Sequence, residues 1–210
     1  MRIDPDMARR SDHTRAELER MIVVEGHKHM GEVGFARFSA REVAKRIGYS
    51  IGTIYNVFGN YDRLILAINT RTFKLWAEYM RTELANRPGD RIRVLVEGYF
   101  GFAEANTNIW MAIYDHRLPP DETMPEAYAE QRSELTEIVV QEVAAVLPEA
   151  ARHRAPRLAR SLVATVHGHC TFALNGSFAL LGETEPMETA LARVRESLAA
   201  AAAETGKPIP

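Results

Sequence analysis

Ser39-Ala-Arg41-Glu-Val43-Ala-Lys-Arg-Ile47-Gly48-Tyr-Ser50-Ile-Gly-Thr53-Ile-Tyr55-Asn56-Val-Phe58 holds two short helical patterns separated by a single glycine. Ser39 stands where an N-cap belongs and Glu42 follows three residues later, which predicts the reciprocal capping pair. Val43, Ala44 and Ile47 supply one apolar face, and Gly48 ends the helix because glycine alone enters a positive-φ turn without steric cost. Ser50 caps a second helix of about two turns, Ile51 to Phe58, which breaks at Gly59-Asn60. Helical spacing buries Val43, Ile47, Ile54 and Phe58, and Ala44 lets the two helices approach closely. Ile51, Gly52, Thr53, Tyr55 and Asn56 are left facing outward. This is a helix-turn-helix pattern. The Thr53 and Tyr55 hydroxyls suit phosphate oxygens, Asn56 suits a base edge or a phosphate, and Gly52 allows close approach of backbone to groove. Taken singly, Tyr55 reads equally as a core aromatic and Asn56 as a solvated residue; the spacing they share favours the nucleic-acid reading.

Outward from this stretch, apolar residues recur at three and four positions, alternating segments are missing, and Ala, Leu, Glu and Arg dominate, so the fold is expected to be all-α. A helix over about Ser11 to Val33 precedes the motif, with Gly31 and Gly34 as stop signals. After it come helices over about Tyr61–Asn86, Gly89–Ala105, Asn108–His116, Met124–Val146, Arg157–Leu181 and Met187–Glu204, about nine in all. Leu118-Pro-Pro120-Asp121 reads as a loop, because successive prolines remove donors and block helix continuation. The chain divides on this reading into residues 1–60, a three-helix helix-turn-helix domain, and residues 61–210, a larger helical domain for ligand binding and dimerisation.

Bulk properties narrow the class without deciding it. The 210 residues, 46% hydrophobic, can bury a proper core. No apolar run is long enough to span a bilayer, and Met1 to Arg10 has no apolar stretch behind its charges, so a soluble cytoplasmic protein is expected. Cys170, the single cysteine, cannot form an intrachain disulfide. The net charge of −2 hides a split: residues 1–60 carry ten Lys/Arg against eight Asp/Glu, and residues 61–210 carry 16 against 20. The sign is the one expected if the N-terminal part meets phosphate.

The run from Phe38-Ser39 to Ile68, especially Gly52-Thr-Ile-Tyr-Asn-Val-Phe58 followed by Asp62-Arg-Leu-Ile65, resembles the tetracycline-repressor (TetR) family. The resemblance implies an N-terminal three-helix DNA-binding unit, a divergent helical ligand-binding and dimerising region, binding to a palindromic operator as a homodimer, and no catalysis or cofactor. Carried over residue by residue, Arg41, Thr53, Tyr55 and Asn56 become DNA contacts, with the backbone at Ser39 and Gly52 and the side chain of Ile51 beside them. The family's lysine at the start of the fourth helix is Tyr61 here, which replaces a charge contact by a hydroxyl and predicts a salt slope smaller by about one per half-site.

Farther on, Val163-Ala-Thr-Val-His167-Gly168 is similar to the His-Gly signature of one C-terminal class in that family, although the tryptophan usual four residues before the histidine is Val163. Gly168, Ala173 and Gly176 form a small-residue stripe along this expected helix. With Leu158, Leu162, His169 and Leu180, and with Leu191, Val194 and Leu198 of the last helix, it reads as a dimer face, the other reading being an intrachain core. Tyr99, Phe102, Trp110, Met111 and Tyr114, with Asn106, His116 and His167 as polar points, are candidates to line a pocket for a mostly apolar effector. For any one of them a core role is the simpler reading.

Two other readings deserve comparison. His27 with His29, and His167 with His169 and Cys170, raise the question of a metal, but residues two apart on a helix face different ways, and the suitably spaced His167 and Cys170 are two ligands only. No Glu-x-x-His pair, nucleophile elbow or phosphate loop points to an enzyme. A ligand-independent regulator or an activator stays open beside the repressor.

Overall fold

The computed structural model describes residues 13–120 and 122–203. The expected helix start at Ser11, the segment Met1–Arg10, Asp121 and the helix end at Glu204 lie outside the described residues. Those described are helical and, among them, contain no strand. The helices are α1 (Arg15–Val33), α2 (Ala40–Arg46), α3 (Ile51–Phe58), α4 (Tyr61–Asn86), α5 (Arg91–Ala105), α6 (Thr107–Asp115), α7 (Glu126–Val146), α8 (Ala155–Leu174), α9 (Ser177–Leu180) and α10 (Pro186–Ala203), with 3-10 turns at Phe35–Arg37 and Glu149–Arg154. None is long and apolar enough to cross a membrane.

Two compact units emerge. The first runs to Thr72 and resumes over Asn108–Ala129; the second takes Phe73–Thr107 and the chain from Glu130 onward. In the first, Ile22 and Met30 of α1, Val43 and Ala44 of α2, Ile54 of α3, Leu64, Ile65 and Ile68 of α4, and Ile109 and Ala112 of α6 form one core. Burying an aliphatic side chain of this size contributes about 1.5–3 kcal/mol. At Gly26 a Cβ would stand 2.7 Å from Ile68 Cδ1, so glycine sets how closely α1 and α4 approach.

The second unit packs α5, α8 and α10 against one another, with Ile92, Val96, Leu162, Val166, Leu191 and Val194 buried between them. Trp76 lies parallel to Phe102 at 5.0 Å and edge-on to Tyr99 at 4.9 Å. Arginine–carboxylate pairs fasten the outside: Arg91 to Glu142, Arg93 to Glu188, and Arg195 to Asp90.

Several local expectations change. Gly31 lies inside α1, and Gly34, with φ 75°, closes it. The Ser39–Glu42 pairing is one-sided: Ser39 Oγ accepts from Glu42 N at 3.3 Å, but Ser39 N donates to His29 Nε2 at 3.4 Å while Glu42 turns to Arg46 and Lys45. The helix expected to reach Leu181 stops at Leu174. Gly176 takes a left-handed turn (φ 78°) and Asn175 Oδ1 accepts from Ser177 N at 2.9 Å, so a side-chain turn displaces the helix. The stripe Gly168–Ala173–Gly176 therefore does not continue on one helix, and this break produces the separate α9.

Candidate nucleic-acid interface and interior cavity

Local chemistry builds the first site. Thr14 caps α1 through a complete capping box with Glu17. Arg15 Nη2 then donates to the Val57 carbonyl at 3.0 Å, and His13 Nδ1 shares a 2.8 Å hydrogen bond with the Tyr49 hydroxyl, so the start of α1 is tied to both the turn and α3. Gly48 has φ 77°, as the turn requires, and Ser50 Oγ accepts from Thr53 N at 3.2 Å. On α3, Ile54 is fully buried, Ile51 packs half-buried against the core, Thr53 is half-buried, and Gly52, Tyr55 and Asn56 are exposed. Arg41 is exposed on α2, and Ser39 is half-buried at its cap. The DNA-contact candidates of α2 and α3 are thus exposed or half-buried, on helices whose Val43, Ala44 and Ile54 are held in the core.

Tyr61 differs from these. Its ring tilts against Phe38 at 6.1 Å and packs on the core, and burial, helped by the neighbouring Asp62 charge, pushes its phenol above the ordinary range and keeps it a neutral hydroxyl. Arg46 is exposed, and its guanidinium reaches Glu32 at 2.7 Å and Glu25 at 3.2 Å on α1 and Glu42 at 3.4 Å on its own helix. These partners hold its pKa above the ordinary arginine value and that of Glu32 below the carboxylate range. Arg46 is a clamp between α1 and α2, which leaves Arg41 and Lys45 as the cations that α2 presents outward. Its partners on α1 are distant in sequence, so the spacing of α2 alone did not reveal it.

The eight pocket candidates divide equally between the units. Trp110, Met111, Tyr114 and His116 belong to the first. Trp110 is fully buried beside Tyr114, Met111 is half-buried, and His116 Nε2 meets Asp62 Oδ1 at 2.9 Å with its ring edge-on to Phe35. Asn108 Nδ2 donates to the Gly31 carbonyl at 2.7 Å and buried Asn69 Nδ2 to the Ala112 carbonyl at 3.2 Å, while Glu122 binds Asn60 and Arg63 at the head of α4. These bonds fasten α6 and the loop after it to α1 and α4.

Tyr99, Phe102, Asn106 and His167 belong to the second unit. Asn106 Nδ2 caps α5 by donating to the Phe102 carbonyl at 3.0 Å. The Tyr99 hydroxyl shares a 3.0 Å hydrogen bond with His167 Nδ1, and Thr171 Oγ1 lies 3.4 Å from His167 Nε2. Desolvation lowers the His167 pKa, so the ring is neutral at pH 7. Tyr99 also forms part of the wall of a small cavity of about 40 Å³, whose other walls are Ile92, Leu95, Val96, Val139, Val143, Leu162, Val163, Val166 and Val194. Nine aliphatic side chains and one phenol admit apolar groups and penalise charge. The valines and Val139–Val143 of α7 carried no signal in the sequence beyond ordinary core periodicity.

Of the dimer-face candidates, Leu162, Leu191 and Val194 are buried inside the chain, Leu158, His169, Ala173 and Leu198 are half-buried, and Gly176 and Leu180 are exposed, Leu180 at 90%. Phe172 and Leu181 are further exposed apolar side chains next to them. The histidines considered for a metal have other engagements: His29 accepts from Ser39 N, His169 Nδ1 meets the Thr165 carbonyl at 2.8 Å, and burial drives the His27 pKa down to about 4. Burial raises the Cys170 thiol to about 12, so it is an inert apolar group at neutral pH. Among the described residues no three His, Cys, Asp or Glu side chains are grouped to hold a metal ion.

Known proteins resolve what this arrangement is. Residues 22–68 match the family model for bacterial regulatory proteins of the tetR family, and residues 92–204 match the tetracyclin repressor-like C-terminal domain. The chain belongs to the TetR family. TetR family proteins are DNA-binding transcriptional regulators and not enzymes, and the N-terminal region, residues 22–68 of which match, carries the family's helix-turn-helix domain. A protein of unknown function from Rhodococcus sp. RHA1 is similar in structure, with TM-score 0.69 and 19% identity over 92% of this chain and 98% of that one. RolR in complex with the ligand resorcinol gives TM-score 0.63 and 14% identity over 93% and 96%. The multidrug binding protein EbrR in complex with imidazole gives 0.57 and 21% over 95% and 98%. At these identities the likeness concerns the fold. No curated protein matches the chain.

Proposed function

We propose that this TetR family regulator is a homodimeric repressor that binds a palindromic operator through Arg41, Thr53, Tyr55 and Asn56 and leaves it when a small, mostly apolar effector enters the second unit. The observation that carries the DNA reading is the outward set on α2 and α3, with Tyr55 39% exposed where an apolar core would bury an aromatic ring. Tyr61 adds a hydroxyl near the phosphates, and the backbone at Ser39 and Gly52 approaches them closely. The aliphatic cavity and the Tyr99–His167 pair support an uncharged effector, and the neighbours holding resorcinol and imidazole support one of ring size. The outward side of α8, with Phe172, and the exposed Leu180 and Leu181 offer apolar surface for a second copy.

The 26 residues of α4 begin in the first unit and end in the second. An effector that displaces α4 changes the separation of the two recognition helices of a dimer, and half-sites about 34–36 Å apart tolerate little change of register. Selection of bound fragments from a random DNA pool tests the reading. The expected product is an inverted repeat with half-sites one helical turn apart, and an asymmetric site or no enrichment contradicts it. Retention of full operator affinity under saturating effector contradicts release.

A further inference from the structure

We propose that His29 of α1 is a positioning residue for DNA binding, setting the start of α2 as a neutral hydrogen-bond acceptor for the Ser39 backbone; the functional half of this rests on the reading that α2 presents Arg41 to the operator. With only seven residues, α2 buries three of them, Ala40, Val43 and Ala44. Apolar contact is non-directional, so a patch this small holds α2 against its neighbours without fixing its rotation. That rotation decides where Arg41, the residue after Ala40, points.

Polar contacts supply the missing direction. His29 is 4% exposed, and its Nε2 accepts from the backbone N–H of Ser39, the cap of α2, at 3.4 Å. A backbone N–H only donates, so Nε2 carries a lone pair and the single ring proton sits on Nδ1. Nδ1 is buried, makes no hydrogen bond among the described residues, and lies 3.9 Å from Glu32 Oε2, a carboxylate oxygen that favours the proton there. The same oxygen accepts from Arg46 Nη1 at 2.7 Å. Arg46 is the last residue of α2 and Ser39 its cap, so one stretch of α1, from Glu25 to Glu32, grips α2 at both ends. The Arg46 end is made of surface ion pairs, which contribute little each; the His29 end is the buried and directional one. The Phe38 ring lies tilted against the imidazole with centroids 5.5 Å apart. Glu42, which would otherwise close the capping box on Ser39 N, is turned to Arg46 instead. A buried nitrogen without a hydrogen bond costs stability, so an apolar side chain at position 29 would serve the core as well. What histidine adds is a fixed placing of Ser39 and, two residues on, of Arg41.

Nitrogen-15 NMR of the imidazoles in the full chain at neutral pH, joined to operator affinity and melting temperature of His29→Leu and His29→Gln, tests the assignment; the operator is the site that the native chain selects from random DNA. The expected spectrum shows His29 protonated at Nδ1 and bare at Nε2. His29→Leu keeps the bulk and loses the acceptor: its melting temperature stays within about 4 °C of the native value, while operator affinity falls about 3- to 10-fold, the value of one hydrogen bond. His29→Gln, whose Oε1 can stand where Nε2 stood, returns the affinity to within about 2-fold of native. A residue that only supports the fold would move melting temperature and affinity together. A ring protonated at Nε2, in either charge state, overturns the proposal even if neither variant folds. So does native affinity in His29→Leu, and so does a His29→Gln variant as weak as His29→Leu. Full affinity in Arg41→Ala is a separate failure: it refutes the reading of α2 as a contact element, and with it the functional half, whatever the ring spectrum shows.

Discussion

The two units carry their proposed sites in opposite places. In the first, short capped helices spend one face on a core, and what is left outside, Arg41, Thr53, Tyr55 and Asn56, is the proposed reading surface. In the second, the helices are longer, the outside is fastened by ion pairs, and the distinctive feature is a small cavity walled by aliphatic side chains. A surface site needs its backbone held in position, whereas an interior site needs packing that stops short of completion. Substitutions therefore act differently in the two, and the contrast can be attacked from either side.

The largest expected effect is in the second unit. Trp76 is 2% exposed and packs on Tyr99 and Phe102, and its truncation to alanine is expected to cost about 3–5 kcal/mol in denaturant unfolding. A loss below about 1 kcal/mol would mean that the aromatic cluster does not organise this unit. In the first unit, Ser39→Ala removes the cap of α2 and is expected to cost about 1 kcal/mol. Operator affinity should fall with it, because the Ser39 cap positions Arg41 two residues later.

Partial filling of the void is a gentler test. Val163→Ile adds one methylene to the cavity wall and is expected to stabilise by up to about 0.8 kcal/mol if the void receives it, leaving operator binding without effector unchanged. Destabilisation would show that the wall is already tight. The smallest effect concerns acid. The His27 pKa is depressed to about 4 from 6.5 by burial, with the Arg71 charge second, so the folded state resists protonation that the unfolded chain accepts. Its stabilising contribution is full above pH 6.5 and is lost as the pH falls toward 4. His27→Gln should flatten the decline in melting temperature over that window, and an unchanged decline would assign it to other groups.

How much of this the sequence disclosed follows the same division. The helix-turn-helix was legible because its signals are local: Ser39 and Ser50 cap, Gly48 turns, and Ile54 alternates with Tyr55 and Asn56 over one helical turn. Arg46 is exposed, and its ion pairs were not legible because its partners Glu25 and Glu32 lie 21 and 14 residues away on another helix. The 3.6-residue period continued through Asn175-Gly176, so only the left-handed glycine and the Asn175 turn reveal that α8 ends there. For the cavity, periodicity marks Val139, Val143, Val163 and Val166 as interior but says nothing about whether the interior is filled, because filling depends on three helices at once. Aromatic residues were the natural sequence candidates, yet Trp110 and His116 serve to anchor α6 in the first unit, and Tyr99 alone among the eight stands in the cavity wall.

The central claim is that DNA sequence is read by the outward face of α3. Its most direct test is selection of bound DNA from a random pool by the native chain and by Asn56→Ala, with binding to the selected site then measured. Asn56 is exposed and its side chain makes no hydrogen bond to another residue among those described, so truncating it should leave the fold intact. The account predicts loss of preference at one base position in each half-site, with a cost of about 1–3 kcal/mol for the native sequence there. An unchanged preference with uniformly weaker binding would reduce Asn56 to a phosphate contact and contradict the claim.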